Sequence, residues 1–376
     1  MVKHILINAI NLTGAGAQTI GLDLIPALVC ALPDRQFSII LPDYSAYRAH
    51  SFPENAGVQY VRPAGGIAND LQRVRQLFIG LPNTARKERV DICLSLGDLV
   101  PIGMPCPNIV LLHQSLLLYS TSELAGLSPW SPLKRLYLTK YFAWTSSWPR
   151  FVVQTPVMAQ RLSTKYRIDR QRITVISQPV PKHISVIDDD ERPHPLIATN
   201  PKPIKLLFLA AYYPHKNHGT LLAVADELRR REMTEQVQIF VTLDEAEVKS
   251  AQFRKRLEEY SDVVTNLGNL SWQQVAATYR AATALFLPTL VESYGIVYLE
   301  AMACGVPILT SDRDFARWIC QDLALYFDPF NPADIVNAIL ALPKIDVHSY
   351  QSKASQHLRA FPKNWDEVAR MYAKLL

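Results

Sequence analysis

The chain reads as an α/β protein built from two Rossmann-like, doubly wound domains with parallel sheets, and three observations predict it. Short strands rich in aliphatic and β-branched residues alternate with helical stretches up to about residue 180, the pattern breaks in a proline-dense segment, and it restarts at residue 204. Strands that are apolar on both faces belong in a sheet covered by helices on both sides.

Taken in order, the first half gives strands at 5–10, 37–41, 58–62, 91–95, 108–113, 151–154 and 173–176, with helices at 19–31 and 68–88. Pro179, Pro181, Pro193, Pro195, Pro201 and Pro203 then surround the acidic run Asp188-Asp189-Asp190-Glu191. Proline at that density continues neither strand nor helix, so 181–203 is expected to link a first domain, 1–180, to a second, 204–355. The second half repeats the alternation, with strands at 204–209, 238–242, 263–267, 285–288, 308–310 and 325–327. Its helices are expected at 218–231, 245–260, 272–281, 333–342 and 365–375.

Composition sets limits on function. A chain of 376 residues, 49% hydrophobic, is long enough for two cores and too apolar to be disordered. A net charge of +5 suits phosphate ligands or an anionic membrane surface, but no Lys/Arg run has the density of a nucleic-acid site. Five scattered cysteines without a C-x-x-C pair point to a reduced, cytoplasmic protein. The start, Met1 to Ile7, reads as a short strand, and no secretory signal or spanning helix is expected.

The stretch from Thr283 to Asp312 concentrates the chemistry. An apolar strand ends at Pro288, a loop holds Glu292, Gly295 marks a helix start, and the helix carries Glu300 before Gly305 stops it. The first N–H groups of a helix lack internal partners and sit at the positive end of its dipole, so Gly295, Ile296 and Val297 form a cradle for a phosphate or diphosphate. Glu292 and Glu300 repel phosphate and must serve something else. A carboxylate accepts hydrogen bonds from hydroxyl groups, and a ligand with hydroxyls on either side of a diphosphate is a nucleotide sugar. Because ligands of open parallel sheets bind beyond the carboxyl ends of the strands, the other loops of interest are 11–19, 210–217 and the residues around His113.

The segment Pro288-x-x-x-Glu292-Ser293-Tyr294-Gly295-x-x-x-x-Glu300-Ala301-Met302-Ala303-Cys304-Gly305-Val306-Pro307 resembles the E-x7-E segment of retaining, nucleotide-sugar-dependent glycosyltransferases of family 4, which have the GT-B fold. Further pieces are similar to that family: a glycine-containing loop after the first strand, His113 after an apolar strand, Lys216 in Tyr213-Pro214-His215-Lys216-Asn217, and Asp312-Arg313-Asp314-Phe315-Ala316. The resemblance implies a sugar transfer with retention of configuration between two domains facing across a cleft. Glu300 would take the ribose hydroxyls, Glu292 the donor sugar, and Lys216 the diphosphate, with Ser293, Tyr294, Gly295, Ile296 and Val297 supplying backbone donors. His113 would stand near the donor sugar, and Gly14, Ala15 and Gly16 would let the first loop approach the substrates. The segment 356–376 would cross back to the first domain. One departure is Ala211, which stands where many members have an arginine that shares the diphosphate; compensation is expected from hydrogen bonds of Tyr212, Tyr213 or His215, or from another basic residue folding in.

The resemblance implies no cofactor and no metal. In agreement, no histidine cluster is seen and the D-x-D spacings offer no metal site, since Asp188 to Asp190 lie in the expected linker, Asp312-Arg313-Asp314 belongs to a segment similar to the family, and His215 and His218 lack further ligands at a sensible spacing. The partners implied are a nucleotide-sugar donor and a glycan or lipid-linked acceptor in cell-surface polysaccharide or lipopolysaccharide biosynthesis. Trp130 to Arg150 mixes aromatic residues with Lys134, Arg135, Lys140 and Arg150. Its first reading is an amphipathic helix packed on the first domain, and its second is a peripheral contact with the anionic inner face of the plasma membrane. Competing functions are a GT-B-fold epimerase or phosphorylase, and a non-catalytic nucleotide-sugar-binding subunit, which Ala211 favours. Taken singly, Lys216 would be a surface lysine, His113 a core histidine and the glutamates a solvated helix start; the surrounding segment lifts the glutamates, and their places after strands lift Lys216 and His113.

Overall fold

A computed structural model describes residues 3–13, 15–62, 72–185, 192–244, 246, 248 and 250–376. Gly14, the acidic run 188–191 and the first part of the helix expected at 68–88 lie outside them. The chain divides into two compact units. One holds Met1–Leu118, Trp130–Pro179 and Pro362–Leu376, and the other Tyr119–Pro129 and Val180–Phe361.

The first unit is a seven-stranded sheet: β1 (His4–Asn8), β2 (Gln36–Pro42), β3 (Ala56–Val61), β4 (Ile92–Ser95), β5 (Asn108–Leu112), β6 (Arg150–Val153) and β7 (Ile173–Val175). All pairs are parallel, in the order β3-β2-β1-β4-β5-β6-β7. Ile5 stands beside Phe37 and Ile92, so one register row is apolar across three strands. Alternation sends Ile5 and Ile7 into a core with Leu24, Ile25 and Leu28, while Leu6 and Cys93 face Leu77, Leu81 and Ala85 on the other side. Both faces are covered, as the doubly apolar strands require. The helix Trp365–Ala373 buries Trp365, Val368, Ala369 and Tyr372 in the first of these cores.

The second unit is a six-stranded parallel sheet: β8 (Ile204–Phe208), β9 (Val237–Val241), β10 (Val264–Asn266), β11 (Ala284–Leu287), β12 (Ile308–Ser311) and β13 (Ala324–Phe327), in the order β10-β9-β8-β11-β12-β13. Each sheet reverses direction once, between β1 and β4 and between β8 and β11. At such a switch point the loops after adjacent strands diverge and leave a crevice for a ligand.

Several expectations change. The proline-rich segment carries two short helices, Lys182–Ser185 and Pro195–Ala198. Proline fits the first helical turn, where its missing N–H would have had no partner anyway. Helices Pro156–Tyr166, Asp314–Cys320 and Val347–Leu358 had no expectation. Tyr119–Pro129 groups with the second unit; the Tyr119 hydroxyl donates to Asp314 Oδ1 at 2.8 Å and its ring meets Phe315 edge-on. The helix Pro132–Thr145 buries only Phe142 and Thr145 among its residues and leaves Leu133, Leu136, Tyr137 and Trp144 exposed. It packs on the first unit through Phe142, whose ring meets Phe151 and Tyr166, and through Tyr141, as the first reading expects, but it leaves a broad apolar surface open. Among the described residues, no helix is long and apolar enough to cross a membrane.

Candidate active site

In the second unit the switch point brings together two loops far apart in sequence. After β8 the chain reaches a single tight turn, Pro214–Lys216, closed by Asn217 in the left-handed region at φ 61°. After β11 it runs through Thr289 and Glu292 to the helix Ile296–Ala303. The loops are tied together at His215, whose carbonyl accepts from Leu290 N at 2.8 Å and from Thr289 Oγ1 at 3.2 Å. Asn217 Nδ2 donates to the Pro329 carbonyl at 3.2 Å, which anchors the turn from a third side.

The result is an ion pair. Lys216 Nζ donates to Glu292 Oε1 at 2.6 Å, with the two side chains only 17% and 11% exposed. At that distance and burial the lysine is held as a directed cation at the mouth of the following helix. Gly295 caps this helix at φ 79°, and a Cβ there would stand 2.6 Å from the Tyr298 ring. Only glycine suits such a position. Tyr298 is itself fixed, its hydroxyl 2.7 Å from Thr310 Oγ1, which donates to the Leu287 carbonyl at 3.0 Å. The first-turn N–H groups of Ile296 and Val297 have no acceptor within the helix and are available to an anion. Ser293 is half-buried and Tyr294 is buried beside them.

One helical turn further on, Glu300 is buried and its Oε2 accepts from the Tyr279 hydroxyl at 3.0 Å. Burial pushes the Glu300 carboxyl up to about 7, although the Tyr279 hydrogen bond pulls the other way. His215 stacks on Tyr213, and among the described residues its Nδ1 has no partner. Burial, reinforced by the Lys216 charge, pushes its imidazole down to about 4. In the ligand-free protein His215 is therefore neutral at neutral pH, and its compensation for Ala211 would be a hydrogen bond.

The first unit has its own constellation at the ends of β4 and β5. Asp98, in the left-handed region at φ 63°, takes the His113 and Gln114 backbone N–H groups on Oδ1 at 2.7 and 2.8 Å. Its Oδ2 lies 3.1 Å from His113 Nε2. Burial opposes a charge on His113, but the Asp98 carboxylate outweighs it and holds the imidazole above its ordinary value. Among the described residues, His113 Nδ1 has no partner. Ala15 opens the helix Ala15–Thr19, so Gly16 is helical instead of lying in a loop, and a Cβ there would meet nothing within 4 Å. The chain is helical from Ala15, and no protein atom of the described residues demands glycine at 16.

Asp98 and Tyr279 had no place in the sequence reading. Asp98 follows Gly97 at the end of a strand beside the switch point, a signal that exists but needs the strand order to be seen. Tyr279 sits inside an ordinary helix and has none. Among the described residues, no group of three His, Cys, Asp or Glu side chains could hold a metal ion.

Comparison with known proteins bears on the second unit first. The family model of glycosyl transferases group 1 matches residues 189–357. This segment, a little under half of the chain, is what is similar to that family. Among curated proteins, the D-inositol 3-phosphate glycosyltransferase of Paenarthrobacter aurescens (strain TC1) is 26% identical over 194 residues, covering 50% of this chain and 48% of the relative. The O-antigen chain mannosyltransferase RfbU of Salmonella typhimurium is 24% identical over 169 residues, covering 45% and 43%. The chain thus matches less than half the length of these relatives. Among solved structures, the sucrose-phosphate synthase of Thermosynechococcus elongatus superposes with a TM-score of 0.71 at 16% identity, covering 99% of this chain and 98% of that one. HepE of Anabaena, in complex with UDP and glucose, superposes with a TM-score of 0.64 at 13% identity, covering 100% and 99%. Two parallel sheets with flanking helices and these likenesses give the chain the GT-B fold.

Proposed function

We propose that the protein is a retaining, metal-independent glycosyltransferase that moves a sugar from a nucleotide sugar to a hydroxyl of a glycan or lipid-linked saccharide. The observation that carries this is the Lys216–Glu292 pair set at the mouth of the Gly295-capped helix, one turn from the buried Glu300. The relatives named for O-antigen and inositol phosphate glycosylation support a place in cell-surface polysaccharide or lipopolysaccharide synthesis. The HepE complex with UDP and glucose supports a nucleotide-sugar donor. We propose a cytoplasmic activity, with a peripheral contact at the inner face of the plasma membrane as the second reading of residues 130–150.

In this reading the bond between the sugar's anomeric carbon and the diphosphate oxygen breaks, and a bond to the acceptor oxygen forms on the same face. The departing diphosphate takes the acceptor's proton. Lys216 and the first-turn N–H groups stabilise the negative charge that builds on the diphosphate. Glu292 turns to the donor sugar's hydroxyls, Glu300 binds the ribose hydroxyls, and His113, aligned by Asp98, offers Nδ1 to the reacting sugar. A nucleotide-sugar binder without catalysis is favoured by Ala211, an exposed residue where a cation would help the leaving group. The assay that separates them measures nucleoside diphosphate release with donor and acceptor extract together. Release that needs both, and that falls in Glu292→Gln and Lys216→Ala, supports the enzyme; binding of the donor without release in any extract supports the binder.

A further inference from the structure

The first unit holds a groove of about 560 Å³, within the roughly 300–1,000 Å³ of small-ligand sites. The loops after β1, β4 and β5 line it with Asn11, Asp98 and Gln114. The helical segment 72–80 and the helix Pro132–Thr145 line it with Phe78, Leu133, Tyr137 and Tyr141. The aromatic members form a continuous wall: Tyr137 stacks on Tyr141 at 6.4 Å, and Phe78 meets Tyr141 at 6.2 Å. Tyr141 is fixed by its hydroxyl, which donates to the Val100 carbonyl at 2.6 Å. Two cations, Arg73 and Lys134, share the lining, and Asp98 is the one acid among the lining residues described.

These features select one kind of occupant. The apolar wall continues onto the surface, where Leu133 is 77% and Tyr137 55% exposed, a surface that a hydrocarbon chain would cover. The cations call for an anion beside the apolar part. The polar residues come from the strand ends, and one of them, Asp98, also holds His113 at 3.1 Å. We propose that this groove binds the acceptor as a lipid-linked phosphate. Its hydrocarbon chain lies against Phe78, Leu133 and Tyr137, its phosphate pairs with Arg73 and Lys134, and its hydroxyl-bearing head lies at Asn11, Asp98 and Gln114. The inference rests on the glycosyltransferase reading and narrows its acceptor to an anionic amphiphile.

The test is titration of the full chain, without nucleotide, with farnesyl phosphate below its micelle-forming concentration, following the fluorescence of Trp130, which lines the groove. Farnesol and inorganic phosphate are the comparison probes. Saturable binding of farnesyl phosphate is expected, with either comparison probe at least about tenfold weaker, because each lacks one of the two attractions. Arg73→Glu and Lys134→Glu are each expected to weaken it by about tenfold or more, and so is Tyr137→Asp at its exposed site. Nucleoside diphosphate affinity on the same preparations controls for folding. Absence of saturable binding, equal binding of farnesol, unchanged binding in all three variants, or adhesion to anionic vesicles with no affinity for monomeric farnesyl phosphate overturns the proposal. Nucleoside diphosphate binding without farnesyl phosphate binding overturns the groove and leaves the donor site standing; the reverse contradicts the donor site and leaves the groove.

Discussion

Lys216 Nζ lies 2.6 Å from Glu292 Oε1, so the two side chains assigned to opposite parts of the donor are each other's partner. In the proposed reaction a diphosphate would draw Lys216 from Glu292 and leave the carboxylate to the sugar. Lys216→Ala is therefore expected to weaken nucleoside diphosphate binding by about 10- to 100-fold, the ~1.5–3 kcal/mol of a charged hydrogen bond. Glu292→Gln is expected to leave that binding undiminished while cutting turnover by about 100-fold or more. Calorimetry on both variants, paired with steady-state rates, checks this; equal loss of binding in both would make the pair a structural clamp.

Glu300 predicts a pH dependence. Its carboxyl is raised from 4.5 to about 7, so the protein binds this proton more tightly folded than unfolded. The stabilisation is full below the unfolded value and is lost as pH rises through about 7. In ligand-free protein, Glu300→Gln should flatten that fall and be the more stable form at alkaline pH, by an amount on the order of 3 kcal/mol. Thermal melts of both proteins across neutral pH measure it, and parallel curves would show that Glu300 is not desolvated.

Asp98 raises the His113 imidazole above its ordinary value despite burial. Asp98→Asn should lower it, which NMR of the His113 ring protons follows directly. If the pair serves the reaction, the acid limb of the rate profile should move the same way. A ring titration that does not move would mean that Asp98 serves the backbone N–H groups alone.

Gly295 is held at φ 79° with the Tyr298 ring where a Cβ would go. Gly295→Ala is expected to cost about 1–3 kcal/mol of stability and to weaken nucleoside diphosphate binding, because the first turn must shift. Gly16→Ala, in a helix where a Cβ meets nothing within 4 Å, is the control and should lower neither stability nor binding.

Much of this was legible in the sequence because parallel strands covered on both faces leave unbroken apolar runs, as in Leu206, Leu207 and Phe208 of β8, all fully buried. Gly295 and Gly305 could be read as helix punctuation, and both take positive φ. Glu292 and Lys216 could be placed on strand-end loops separately, but their pairing across 76 positions depends on β8 lying beside β11, which no local pattern encodes. Asp98 escaped for the same reason, since its partner His113 lies just past the end of the next strand of the sheet. Pro132–Thr145 could be read as a helix, but its exposure could not, because mixed aromatic and basic residues fit a packed face and an open one equally well.

The central claim is that the second unit binds a nucleoside diphosphate through Lys216 and the Gly295-capped helix. A thermal-shift series with UDP, GDP and ADP on wild-type protein and on Lys216→Ala tests it most directly, since a ligand that binds only the folded state raises its stability. The account predicts that at least one of the three raises the wild-type melting temperature in a saturable way, and that Lys216→Ala loses most of that rise. No shift with any of them, or the same shift in the variant, would contradict it.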